Sequence, residues 1–371
     1  MEGLRVRQEL VAGSLPSDRV VLWLGFLRVR EVVALKCCCR LLSKIFEDVE
    51  LLVNDELWET SSKMLRLQTV SLARPRLLYC YDFLSEIESR AIVALGRLAF
   101  SLPFTAARKL GSRCLRHKYY LGLKSGSQDS YLPPSCLKLL KAIERRVSAL
   151  TNSKEDDSDF FDLQIHYTPG ALRTKRPRNN AKMWSESGLH VDVNNGFPHR
   201  YATALAYLND VPVSGATAFP CVHNPKARGL AEKILDTYKI HHTDAAFLQK
   251  NEALFAAAAG LIAETDNNKS FQPTRGSLVL FWSLTDDGRL DAASYHGGAR
   301  VVHDEAQRDF WHTGKWTLQC FKQLPPHLQG EGEDKNRFLR ASRHCLRGEA
   351  PGVRFQVLDD DAPSSSEGRS E

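Results

Sequence analysis

His190 and Asp192 stand two residues apart in 188-GLHVDVNNG-196, an apolar segment bounded by glycines. On a strand, residues i and i+2 project from the same face, so an imidazole and a carboxylate would enter one space. Asn194, Asn195 and Gly196 follow at once and also fit a surface turn, which keeps a plain structural reading open. A metal centre needs a further ligand from a separate element. Most of the 12 histidines sit in polar surroundings, as His241, His242 and His312 do, where a solvated ring is ordinary. His296 differs: it follows the apolar run 277-SLVLFWSL-284 and lies in 294-SYHGGARVV-302, whose glycines permit close backbone approach. Two histidines and one carboxylate on neighbouring strands form a facial triad, which leaves coordination positions on Fe(II) open to other molecules.

Short strands separated by turns would have to carry these residues. The sequence predicts a short strand from residue 77, then a helix through residue 100 that opens on Ser85 with Glu88 three residues on. It predicts a second helix over 135–150, and strands over 160–167, from 200 and over 277–284. Residues 228–265 are Ala-rich and read as a helical insertion. Residues 15–45 carry apolar positions at helical spacing, interrupted near Arg28–Arg30, and read as two or three short helices. Helices on one face of an antiparallel sheet or barrel satisfy both patterns, which places the main domain in the α+β class. The expected division is a helical module at 1–60, a linker at 61–76, the main domain at 77–325 and an extension at 326–371. That extension ends in DDDAPSSSEGRSE, which cannot bury apolar surface and is expected to be disordered.

Composition narrows the class. The net charge of +6 is spread along the chain, and the one dense basic stretch, 173-RTKRPRNNAK-182, reads as a solvated loop, so no nucleic-acid partner is expected. No apolar run reaches the roughly 18 residues a membrane span needs, and MEGLRVRQEL does not read as a signal peptide. The nine cysteines have no CxxC spacing, which points to a reducing cytoplasmic or nuclear compartment.

Several further stretches carry a resemblance. YDFLSEIES, LQIHYTPG, HVD, HRYATALAYLNDVPVSGATAFP, RGSLVLFWSL, LDAASYHGGARV and GKW occur in the order found in the prolyl 4-hydroxylase group of 2-oxoglutarate/Fe(II) dioxygenases. The resemblance covers about residues 77–322. It implies a double-stranded β-helix, a jelly-roll or cupin-like barrel with flanking helices. It implies Fe(II) held by His190, Asp192 and His296, with 2-oxoglutarate as co-substrate, dioxygen, and ascorbate as an accessory cofactor. Lys315 of GKW would then pair with the far carboxylate of 2-oxoglutarate, because a buried dianion needs a cationic partner. Tyr167 and Tyr207 fall where family members direct hydroxyls toward the co-substrate, although either would serve as a core tyrosine. The chain departs from the family in that 315 − 296 = 19 residues separate Lys315 from the second histidine. Residues 303–313 must therefore loop out, and Arg308 within them is the rival anchor. Asp192 itself argues for hydroxylation, since halide-transferring relatives carry a small residue there. A nucleic-acid demethylase of the same superfamily is disfavoured, because this chain offers a lysine where those relatives carry paired arginines. The resemblance implies prolyl residues of a protein or peptide as substrate.

A second likeness lies at the N-terminus. Leu15-Pro16, 25-GFL-27, Arg30-Glu31 before 32-VVAL-35, 39-CRLL-42 and 55-DELW-58 resemble an F-box. This implies a helical module that docks on a Skp-type adaptor of a ubiquitin ligase through residues 15–45. The alternative function is then a substrate adaptor whose dioxygenase-like domain recognises proteins without turnover.

Overall fold

A computed structural model describes residues 63–101, 112–115, 118–123, 134–153, 160–166, 190–193, 198–212, 214–238, 269–299, 301, 314–343 and 353–358. The F-box-like module, Tyr167, the basic stretch 173–182, Arg308 with its surrounding loop and the acidic tail lie outside the described residues.

The first half of the chain runs β1 (Lys63–Ser71), β2 (Leu77–Cys80), α1 (Glu86–Ser101), β3 (Ser112–Leu115), β4 (Lys118–Leu123), α2 (Pro134–Leu150) and β5 (Phe160–His166). It continues through β6 (Arg200–Tyr207), β7 (Thr217–Phe219), α3 (Pro225–Tyr238), β8 (Lys269–Phe271), β9 (Leu278–Trp282), a 3-10 turn (Ala292–Ser294) and β10 (Gly297–Gly298). Then come β11 (Lys315–Gln323), a 3-10 turn (Pro326–Leu328), α4 (Glu333–Arg343) and β12 (Val353–Leu358). Among the described residues the strands form a nine-stranded sheet, ordered β12-β1-β2-β9-β6-β11-β5-β4-β3, and a three-stranded sheet, β10-β7-β8. Every pairing is antiparallel except β1 with β12, so the large sheet is mixed. No helix of the described residues is long and apolar enough to cross a membrane.

Two stretches differ from the sequence reading. Residues 63–71, read as linker, form β1, with Leu65 and Leu67 in the core and Met64 and Arg66 outside it. Residues 353–358, read as part of a C-terminal extension, add β12 to the same sheet in parallel with β1, pairing Leu65 with Phe355 and Leu67 with Val357. The period-two alternation was present in 63–71. Its parallel partner, nearly the whole chain away, has no local signature.

Cross-strand partners share a face of a sheet, so the register divides the large sheet into two unlike surfaces. The row Leu78, Leu280, Ala204, Cys320 and Phe161 faces outward, into one core with Ala91, Ile92 and Leu95 of α1 and Leu139, Ile143 and Val147 of α2. The adjacent row, Tyr79, Val279, Leu205, Gln319 and Asp162, faces the opposite way and changes from apolar to polar as it crosses from β6 to β11. Its apolar half packs with Phe219 and Phe271 of the small sheet in a second, smaller core. Space for chemistry therefore lies between the two sheets, on the side away from α1 and α2.

Helix α1 is held at both levels. Ser85 Oγ accepts the Glu88 amide at 3.1 Å while Glu88 Oε2 accepts the Ser85 amide at 2.7 Å, the reciprocal cap its sequence predicts. Further along, Gly96 lies directly over Trp316 of β11: a Cβ built there would meet the indole Cζ3 at 2.4 Å and Leu163 at 2.9 Å. Alanine would gain about 1 kcal/mol of helix propensity, but overpacking a rigid buried indole costs about 1–3 kcal/mol. We expect Gly96→Ala to destabilise the protein, with a urea midpoint below that of the wild type; an increase would contradict this packing.

Candidate metal centre

His190 and His296 face one another across an isolated antiparallel bridge. The His190 amide donates to the His296 carbonyl and the His296 amide to the His190 carbonyl, both at 2.9 Å. A hydrogen-bonded antiparallel pair directs both side chains to the same side. The ring centroids are 4.4 Å apart and the planes inclined at 50°. Asp192 is not on a continuing strand, as the HVD spacing predicts, but in the turn that follows His190. The turn still brings its carboxylate to the same place. Asp192 Oδ1 lies 3.4 Å from His190 Nε2 and 3.6 Å from His296 Nε2. One donor atom from each of the three residues lies within 4.8 Å of the other two.

Neighbouring groups hold each ligand in place. Thr203 of β6 donates its hydroxyl to Asp192 Oδ2 at 2.7 Å, which leaves Oδ1 turned toward the imidazoles. Arg200, at the start of β6, donates to the Asp192 backbone carbonyl at 3.2 Å. His296 Nδ1 is 3.0 Å from the Ser294 carbonyl, which can only accept, so Nδ1 carries the proton and Nε2 keeps its lone pair. Phe219 stacks on His296 at 5.3 Å and Phe281 meets it at 4.5 Å, so apolar surface encloses the ring.

Burial pushes the His296 imidazole down to about 4, against the pull of the Asp192 charge, so the ring is neutral near pH 7, the form able to ligate. Burial also works against the Asp192 charge, but the two imidazoles and the Thr203 hydroxyl outweigh it and hold the carboxyl well below the usual carboxylate range. Two nitrogen donors and one carboxylate oxygen, gathered on one side of a partly polar space, suit a divalent transition metal with open positions. The residues present fit such an ion.

Lys315 begins β11, and its buried ammonium crosses between the sheets to donate to Thr217 Oγ1 of β7 at 3.0 Å. It lies 5.3 Å from the Tyr207 ring centre, and its charge bears on His296. Gly215 lies beside the lysine stem in the left-handed region, at φ +71°, where glycine is favoured. Tyr207 is buried beside this cation, and burial pushes its hydroxyl above the ordinary tyrosine value. Thr317, two residues after Lys315 and paired in register with Tyr207, has a buried hydroxyl with no partner among the described residues.

Of the residues singled out in the sequence, His190, Asp192 and His296 converge, and Lys315 and Tyr207 lie beside one another at the same space. Tyr167 and Arg308 lie outside the described residues. Sequence reasoning missed Thr203, Arg200, Ser294, Thr217 and Thr317. Period-two alternation from Lys315 would have indicated Thr317. Ser294 stands only two residues before His296, but it acts through its backbone carbonyl, which its residue type does not announce; Arg200, Thr203 and Thr217 approach from other strands.

No family model matches this chain. The protein described as Prolyl 4-hydroxylase 2 of Arabidopsis thaliana is 29% identical over 256 residues, 69% of this chain and 71% of that protein. Probable prolyl 4-hydroxylase 10 of the same plant is 26% identical over 258 residues, 70% of this chain and 74% of the relative. Among solved structures, a viral collagen prolyl hydroxylase from Paramecium bursaria Chlorella virus-1, in its 2OG complex, is 16% identical, with a TM-score of 0.34 over 66% of this chain and 93% of that one.

The neutrality of His296 has a measurable consequence. Free histidine titrates near 6.5 in an unfolded chain, whereas burial holds the folded ring near 4. Between these values the unfolded state binds more protons, so metal-free stability rises with pH and is lost as pH falls from 6.5 toward 4, by at most about 1.4 kcal/mol per pH unit. Urea unfolding in chelator across this range should show the slope, and His296→Gln should flatten it. An equal slope in both proteins would refute the assignment.

Proposed function

We propose that this protein is an Fe(II)- and 2-oxoglutarate-dependent dioxygenase that hydroxylates prolyl residues of a protein or peptide. The observation that carries the reading is the placement of Asp192 Oδ1 between two histidine Nε2 atoms, at 3.4 and 3.6 Å. The likeness to plant prolyl 4-hydroxylases over about 70% of the chain supports it and supplies the substrate class. The two sheets are read as the halves of a double-stranded β-helix.

His190, Asp192 and His296 would hold the iron on one side. The chemistry that iron(II) would supply is dioxygen activation coupled to decarboxylation of 2-oxoglutarate to succinate and CO2, with one oxygen atom delivered to the substrate carbon. The chain's own contribution is charge pairing, orientation and exclusion of water. Lys315, buried and steadied by Thr217, is the partner for the far carboxylate of 2-oxoglutarate. Thr317 offers that co-substrate a hydroxyl, and Tyr207 lines the same wall. Phe219 and Phe281 keep water from the inner side of His296. Ascorbate is included as the reductant that keeps iron in the ferrous state.

Residues 15–45 extend the reading: an F-box-like module would dock the enzyme on a Skp-type adaptor in the cytoplasm or nucleus. A non-catalytic adaptor is the second reading, favoured by that N-terminal likeness alone. A barrel without turnover has no physical need of three converging ligands.

Anaerobic loading with Fe(II), followed by oxygen and a proline-rich peptide, should give succinate from 2-oxoglutarate and a peptide heavier by one oxygen atom. His190→Ala should lower the rate at least a hundredfold; equal succinate release from both proteins would eliminate the enzymatic reading. For the adaptor, co-precipitation of purified Skp protein with the full chain should succeed and should be lost when residues 15–45 are deleted. Equal recovery from both would remove the F-box assignment.

A further inference from the structure

His296 receives its orientation from a chain of contacts that ends outside the metal site. Its Nδ1 donates to the Ser294 carbonyl at 3.0 Å, and Ser294 closes the 3-10 turn Ala292–Ser294. That turn is capped by Asp291, whose Oδ1 accepts the Ala293 amide at 3.0 Å. The Asp291 carbonyl accepts both the Ser294 amide at 2.9 Å and the Ser294 hydroxyl at 2.7 Å. Asp291 is wholly buried, and its amide is tied to the Ser283 carbonyl at the end of β9 at 2.8 Å. Arg74, from the segment between β1 and β2, reaches Asp291 Oδ1 with both Nε and Nη2 at 3.0 Å. Its Nη1 meets Glu232 of α3 at 3.2 Å.

We infer that Arg74 and Asp291 are positioning residues of the metal centre, holding the turn whose carbonyl sets the tautomer and aim of His296. This rests on the metal reading above. Two features distinguish the arrangement from an ordinary cap. A buried carboxylate needs a cationic or multiply donating partner, and here the cation comes from a segment 217 residues upstream. The capped turn is also only three residues long and delivers its carbonyl straight to a ligand ring. Groups that orient metal-bound histidines in this way govern affinity as well as geometry. Arg74 further ties helix α3 to the same turn, so the region that follows β7 and the second histidine share one anchor.

The test is Co(II) titration of the full chain, followed by visible absorption and needing no turnover. The wild type should bind Co(II), and Arg74→Ala and Asp291→Asn should each weaken binding about tenfold or more and alter the absorption bands. Arg74→Lys should recover part of the loss. Arg289→Ala, which removes a surface cation paired with Asp287, should match the wild type. Wild-type affinity and spectrum in both Arg74→Ala and Asp291→Asn would overturn the inference. Should Asp291→Asn lose its far-ultraviolet circular dichroism, the half-exposed Arg74 decides the matter. Equal Co(II) binding by the wild type and His296→Ala would instead defeat the metal reading, and this inference with it. Binding lost in His296→Ala but kept in Arg74→Ala defeats the positioning role alone.

Discussion

The reciprocal backbone pairing of His190 with His296 is the constraint from which the site follows. Each residue uses its own amide and carbonyl to fix the other, so neither backbone can shift without breaking both bonds. The bridge belongs to no named strand and connects two loops, yet it has the geometry of a ladder rung. Side chains from such a rung emerge on one side. Asp192 then needs only a short turn to place its carboxylate between the rings, and Thr203 from the neighbouring strand selects which oxygen faces them.

This rung sits at a boundary the large sheet creates. Alternation along β2, β9, β6 and β11 sends one set of side chains beneath α1 and α2 and the other toward the small sheet. The first set is apolar except for Lys322 near the end of β11, whose buried ammonium donates to Ser148 of α2, and it supplies the main core. The second is divided: aromatic and aliphatic on β2, β9 and β6, polar on β11 and β5. A dry wall beside the histidines and a polar wall carrying Lys315 are therefore produced by one sheet. Lys315 marks that polar side, with Gly215, in the left-handed region, beside its stem.

Electrostatics follow from the same enclosure. Phe219 and Phe281 deny water to His296, which disfavours its charged form, while the Ser294 carbonyl keeps the remaining proton on Nδ1. Asp192 is as deeply buried but retains its charge, because the two imidazoles and the Thr203 hydroxyl together outweigh burial. A neutral ring and an ionised carboxylate side by side, both enclosed, form a donor set that a divalent ion completes. Control of the second ring lies further out, in a capped turn and an arginine that closes over it.

The sequence alone determined what depends on near neighbours. The Ser85–Glu88 cap, the helices around residues 86–101 and 134–150, the strands at 200–207 and 278–282 and the residue types of the triad could all be read from local spacing. Such features depend on interactions within one or two turns or along a single strand, where order in the chain is order in space. Tertiary structure alone decided that Asp192 reaches the site from a turn rather than a strand, and that Thr203 orients it. It alone set Lys315 against Thr217, paired β12 with β1, and brought Arg74 to Asp291. Each of these contacts joins segments far apart along the chain, and their meeting depends on how whole sheets twist and close, which no window of residues encodes.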